Sequence, residues 1–170
     1  DWILSNTMRY NGGIGEFNGS IGGDIDYSEI RNNTIYSSTN GIVLNEGSHN
    51  LMSNNIIRDI ANVGLHLKSG GTGGGNYNTI SRNEIYDCAG TGILVADGHF
   101  NAITNNAIHH CGAAGIYLDI GSSNQVLSNT IHSTMLTSSH SGAAIYVQAQ
   151  NGTGVQYNHL YNNGGGSGYQ

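Results

Sequence analysis

In a chain of 170 residues with only 9% charged, the side chains able to move protons or hold an anion are few. His66, Lys68, Tyr117 and Tyr146 combine an imidazole, an ammonium and two phenols. Those types suit the abstraction of a proton from the carbon beside a carboxylate. Such a step needs a base, an acid, and a cation to neutralise the carboxylate as charge develops. Arg58, Tyr86, His109, His110, Asp119 and His132 add groups that can bond a polar ligand. Each also has a plain reading. An outward Tyr is a good strand former that packs along its own face, and a solvated His or Lys needs no ligand. The elements that position these residues decide between the two.

Those elements come from an internal repeat. Asn-x-(Ile/Leu/Met) recurs at Asn6, Asn33, Asn55, Asn83, Asn106, Asn129 and Asn158, in steps of 27, 22, 28, 23, 23 and 29 residues. The short steps define the unit, and the long ones carry a loop. Five residues before most of these asparagines stands another small polar residue with an aliphatic two further on, as in Asn78…Ile80 and Asn101…Ile103. Eight or nine residues after the Asn comes Gly-aliphatic-x-aliphatic, as in Gly64-Leu65-His66-Leu67 and Gly115-Ile116-Tyr117-Leu118. Each unit thus holds three short segments of period two, which reads as half-buried strands separated by Asn- or Gly-rich bends. One unit cannot bury its aliphatic face, but stacked units share a core. An inward Asn at a tight bend can bond the bends above and below it, and Asn and Gly tolerate the left-handed backbone of such corners. The expected architecture is an all-β solenoid of about seven rungs, about 34 Å tall at the usual inter-strand spacing.

The unit Asn-x-Ile-x-x-Asn-x-Ile, followed by Gly-Ile-x-Leu, resembles the right-handed parallel β-helix repeat of pectate and alginate lyases, mannuronan epimerases and periplasmic copper-insertion accessory proteins. The resemblance covers nearly the whole chain, from Trp2 to Asn163. It implies a right-handed single-stranded parallel β-helix with three short strands per rung. It further implies that the Gly-Ile-x-Leu strand lines a substrate groove. The outward columns there would be Val43, His66, Leu94, Tyr117 and Tyr146, then Asn45, Lys68, Ala96, Asp119 and Gln148. The turn before that strand would add Arg58-Asp59, Tyr86-Asp87, His109-His110 and His132 on the same edge. The function implied is secreted, extracellular or periplasmic recognition or processing of an anionic polysaccharide, with a polyuronate lyase or epimerase as its enzymatic form. In that form His66, Lys68, Tyr117 and Tyr146 are the catalytic set, and Arg58, Tyr86, His109, His110, Asp119 and His132 bind substrate. The chain departs from the family in two respects: the aspartate motifs of polygalacturonases are not visible, and a proline-free chain cannot contain the Asp-Pro-His signature of alginate epimerases.

Other readings are narrower. Asp59 and Asp87 occupy matching positions in successive units, as a hydrolase pair would, although Arg58 and Arg82 can neutralise them. His109 and His110 with His132 suit a transition metal only if an irregular turn aims adjacent residues the same way. Asp24, Asp26 and Glu29 offer oxygen ligands of the kind calcium accepts, which makes calcium the candidate cofactor. Cys88 and Cys111 each lie five residues past an Asn, which stacks them in neighbouring rungs as small inward hydrophobes or as a disulfide. A net charge of -6 disfavours nucleic acid as a partner. No apolar run approaches the roughly 18 residues of a membrane span. The insertions Lys68–Asn76 and Thr134–Gly142 frame the groove strand. Neither end shows a cap, so the chain reads as a piece of a longer protein or as a subunit that self-associates end to end. That second option makes a non-catalytic stalk, adhesin or filament the rival function.

Overall fold

The computed structural model describes residues 2–9, 19–23, 25–68, 75–134 and 143–164. The chain coils through three seven-stranded sheets, visiting each once per rung. One turn runs Thr79–Ser81, Glu84–Cys88, Ile93–His99, and the next runs Ala102–Thr104, Ala107–Cys111, Ile116–Ser122. Every strand pairs in parallel with its counterparts in adjacent rungs, for example Ile80↔Ile103, Ile85↔Ile108 and Ile93↔Ile116. The solenoid with three strands per rung is thus as the repeat requires.

The bends explain why so sparse a sequence holds this shape. Asn54, Arg82, Asn105 and Ser128 adopt φ between 54° and 58°, and each directly precedes a buried Asn. The left-handed residue turns the chain inward, so the following Asn side chain enters the core. There Asn55, Asn83, Asn106 and Asn129 form a ladder. Each Nδ2 donates to the Oδ1 of the next Asn and to a carbonyl of the preceding rung; Asn106, for example, donates to Asn129 at 2.9 Å and to the Ile80 carbonyl at 3.0 Å. The backbone N–H of each also donates to the next Oδ1, as from Asn83 to Asn106 at 2.9 Å. The bonds run along the series Asn6, Asn33, Asn55, Asn83, Asn106, Asn129, Asn158, so their sequence separations are those of the repeat. A second ladder, Asn50–Asn78 and Asn101–Asn124, lines another corner. These contacts satisfy polar groups that burial would otherwise leave unpaired, at a cost of 1–3 kcal/mol each on typical figures.

Between the ladders lies a core of stacked apolar columns. Met52, Ile80, Ile103 and Val126 come from the first sheet, Ile57, Ile85, Ile108 and Ile131 from the second, and all are fully buried. The third sheet contributes Leu65, Ile93 and Ile116 with Leu67, Val95 and Leu118. Cys88 and Cys111 pair in register in the same interior and carry free thiols. Their mutual hydrogen bond and burial push the Cys88 thiol far above its ordinary range, so it behaves as an inert hydrophobe.

The corner of the second ladder places rings at its left-handed positions. Tyr27, His49, Tyr77 and Phe100 hold left-handed φ of 51° to 60° there, a conformation that bulky side chains disfavour. Their rings stack in sequence at 4.6, 5.0 and 4.9 Å. Stacking of about 0.5–1.5 kcal/mol per pair offsets the backbone cost.

Candidate functional site: the outer face of the third sheet

The third sheet carries the expected column in register: Val43 beside His66, His66 beside Leu94, Leu94 beside Tyr117, Tyr117 beside Tyr146. Its members differ in what they can do. Val43 is buried despite its outward position. His66 is largely buried as well, and its Nε2 is enclosed without a hydrogen-bond partner. Burial, reinforced by the Lys68 charge, lowers its pKa from 6.5 to about 4. A neutral imidazole could accept a proton, but an enclosed Nε2 cannot reach a substrate in this conformation.

That depression has a measurable consequence. The native state keeps His66 neutral down to about pH 4, whereas the unfolded chain takes up the proton near 6.5. The corresponding stability is complete above pH 6.5 and is lost as pH falls from 6.5 towards 4. Discounted for partial exposure, the loss is about 2 kcal/mol. His66→Leu should flatten the pH dependence of urea unfolding over this window, and an unchanged slope would contradict the burial of His66. Burial also lowers His109 and His132, adding to the same trend from a different site.

Tyr117 and Tyr146 form the open part of the column. Their ring centroids lie 5.0 Å apart at a tilt of 51°. Both hydroxyls donate to Gln148 Oε1, at 3.1 and 3.2 Å. Burial and the neighbouring Asp119 carboxylate raise the Tyr117 phenol above its ordinary value. Beside the pair is a cleft of about 270 Å³, walled by Asn62, Val63, Gly90, Thr91, Leu94, Ala113, Ala114 and the two tyrosines. The small residues open it. Ala89-Gly90-Thr91 and Gly112-Ala113-Ala114, just before the groove strands, leave room that larger side chains would fill. Those runs are the sequence signal for the cleft, and Gln148 belongs to the second outward column expected from the repeat.

Arg58, Tyr86, His109 and His132 are not in the turn before the groove strand. They lie in strands of the second sheet, in one outward column with Tyr36 and Tyr161. The ten candidates therefore divide between two sheets. Within the column, Arg58 sits over the Tyr36 ring at 4.4 Å, and Tyr86, His109, His132 and Tyr161 stack at 4.9, 4.8 and 4.7 Å. Stacked rings spend their faces on each other and present only edges. Arg58 also pairs with Asp59, which supports the neutralised reading of that carboxylate.

The backbone irregularity that His109 and His110 required is present, inside the strand Ala107–Cys111 rather than in a turn. His110 has φ 52°, and the two Nδ1 atoms lie 2.8 Å apart. His132, however, stacks parallel to His109 with an interplanar angle of 6°, so their nitrogens run side by side instead of converging. Among the described residues no group of three or more His, Cys, Asp or Glu side chains is placed to hold a metal ion. Of the acidic loop, Asp24 lies outside the described residues. Asp26 accepts the Ser48 N–H at 2.6 Å and Glu29 pairs with Arg31 at 2.7 Å. Residues 69–74 and 135–142 of the two framing insertions also lie outside the described residues. No described helix is long and apolar enough to cross a membrane, a statement that does not bear on β-barrels.

Three solved structures share this architecture. The chain superposes on the A-module of the Azotobacter vinelandii mannuronan C-5 epimerase AlgE6 with a TM-score of 0.77 and 18% identity, covering 95% of this chain and 44% of that one. The A-module of AlgE4 from the same organism gives 0.74 and 18%, covering 94% and 55%. The periplasmic alginate epimerase AlgG gives 0.58 and 14%, covering 95% and 43%. The chain spans about half the length of these structures, and at such identities the likeness concerns the fold. No curated protein matches it in sequence. The profile of the right-handed beta helix region matches residues 5–169, and the chain belongs to that family.

Proposed function

We propose that the chain recognises a polysaccharide along the outer face of its third sheet, in an extracellular or periplasmic setting. The observation that carries the reading is the cleft beside the tilted Tyr117–Tyr146 pair, with both hydroxyls gathered on Gln148. A sugar presents apolar C–H faces and a rim of hydroxyls. A pocket with aromatic walls and a few fixed polar groups complements both. The outward columns of the sheet run along the axis at the strand spacing, which suits a polymer better than a single small molecule.

The names of the similar structures suggest one further step, elimination or epimerisation of a uronate. The face supports that step in part. Tyr117, held protonated, suits the acid, and Lys68 suits the substrate carboxylate. His66 as the base is two rungs from Tyr117, about 10 Å by strand spacing, with Leu94 between them. Recognition is the reading that the geometry supports best.

Affinity electrophoresis against a panel of neutral and acidic polysaccharides tests it. At least one polymer should retard the protein, and Tyr117→Ala with Tyr146→Ala should weaken that retardation about tenfold, the worth of a lost aromatic platform. Retardation by none would favour the structural or adhesive solenoid. Ultraviolet absorbance of polyuronate digests, with and without calcium, checks the enzymatic form. A rise abolished by Tyr117→Phe would establish a lyase.

A further inference from the structure

The charges around the tyrosine cleft bear on which sugars it takes. The chain has five cationic residues: Arg9, Arg31, Arg58, Lys68 and Arg82. Arg31 lies on the first sheet, paired with Glu29, and Arg9 and Arg58 belong to strands of the second sheet. Arg82 stands at the bend between those two sheets. Lys68 alone is on the third sheet, in register with Asn45 and two rungs from the level of Tyr117. Among the described residues no cation lines the cleft. The insertion from Thr134 to Gly142 brings one His and neither Lys nor Arg. The charge next to the cleft is negative: Asp119 stands two residues along the strand from Tyr117, close enough to raise its phenol. The wall itself is uncharged: aliphatic and aromatic side chains with the Asn62 amide and the Thr91 hydroxyl.

We propose that the tyrosine cleft is a subsite for an uncharged pyranose, and that it discriminates against a uronate at that position. A carboxylate entering it would lose water to an apolar wall with no cation in return, and would meet the Asp119 charge. A neutral sugar meets neither cost and gains the ring faces and the amide groups of Asn62 and Gln148. This inference rests on the reading that the third sheet binds polysaccharide. It differs from the polyuronate expectation by assigning the uncharged residue of the polymer to this subsite.

Paired polymers that differ only in charge provide the test. Polymannuronate and polygalacturonate would be compared with their carboxyl-reduced forms by affinity electrophoresis at low and moderate salt. The expected result is binding about tenfold tighter to a reduced polymer than to its parent, with little dependence on salt for the reduced form. Asp119→Asn should improve binding of the parent about threefold. Parent polymer bound as tightly as the reduced one, or more tightly, would overturn the uncharged subsite while leaving polysaccharide recognition in place. Binding of neither form, nor of any other polymer in the panel, would overturn the recognition itself and this inference with it.

Discussion

Asn106→Ala should destabilise the fold by about 4 kcal/mol. Asn106 is almost fully buried. Its Oδ1 accepts from the backbone N–H and the Nδ2 of Asn83, at 2.9 and 3.0 Å, and its Nδ2 donates to the Ile80 carbonyl and to Asn129. Alanine therefore strands groups in both adjacent rungs, where no water reaches them. Each orphan costs about 1–3 kcal/mol, and the losses are not independent. Asn105→Ala makes an instructive contrast. Asn105 is exposed with φ 57°, so its replacement incurs only the left-handed backbone cost of about 1–2 kcal/mol. Urea denaturation of the two variants should order them in this way, and equal losses would mean that the ladder is not a main source of cohesion.

Gly92→Ala is expected to be nearly as damaging, at about 3 kcal/mol. A Cβ there would sit 2.6 Å from the Gly115 carbonyl oxygen and 2.6 Å from Ile108 Cγ2. That carbonyl accepts the Ile93 N–H at 2.8 Å. The strand cannot retreat without breaking the pairing that starts the third sheet. Gly64 and Gly115 face the same crowding one rung away on either side, so the requirement is a column of its own. The measurement is again the unfolding free energy. The Tyr117–Tyr146 cleft lies over this region, so the variant should also weaken whatever polymer the wild type binds.

Much of this architecture could be read from residue spacing because every rung solves the same problem with the same side chains. An Asn that bonds its counterpart must recur once per coil, so the intervals between asparagines are the lengths of the coils. The shared register of Cys88 and Cys111 follows from the same rule. The placement of Arg58, Tyr86 and His109 was less legible, for a local reason. In Ile57-Arg58-Asp59-Ile60 both isoleucines point inward with two residues between them, which breaks strict alternation and reads as a turn. The left-handed φ of 54° at Asp59 reverses the side of the chain, so the strand continues through it. Tyr86-Asp87 and His109-His110 repeat the pattern, with φ 53° at Asp87 and 52° at His110. The enclosure of His66 was not legible either, because the periodicity assigns a residue to a face but does not show what covers that face. The cleft was not legible because it is made by small side chains, and alanine and glycine carry no reactive group to mark it.

Recognition of a glycan by the third sheet can be read out residue by residue with fluorotyrosine NMR. Protein labelled with fluorotyrosine, its resonances assigned by single Tyr→Phe variants, would be titrated with oligosaccharides from the best-retarding polymer. The Tyr117 and Tyr146 signals should move together and saturate, while those of Tyr86 and Tyr161 on the second sheet stay in place. Saturating shifts at Tyr86 and Tyr161, with Tyr117 and Tyr146 unmoved, would contradict it and place the binding face on the stacked Tyr–His column.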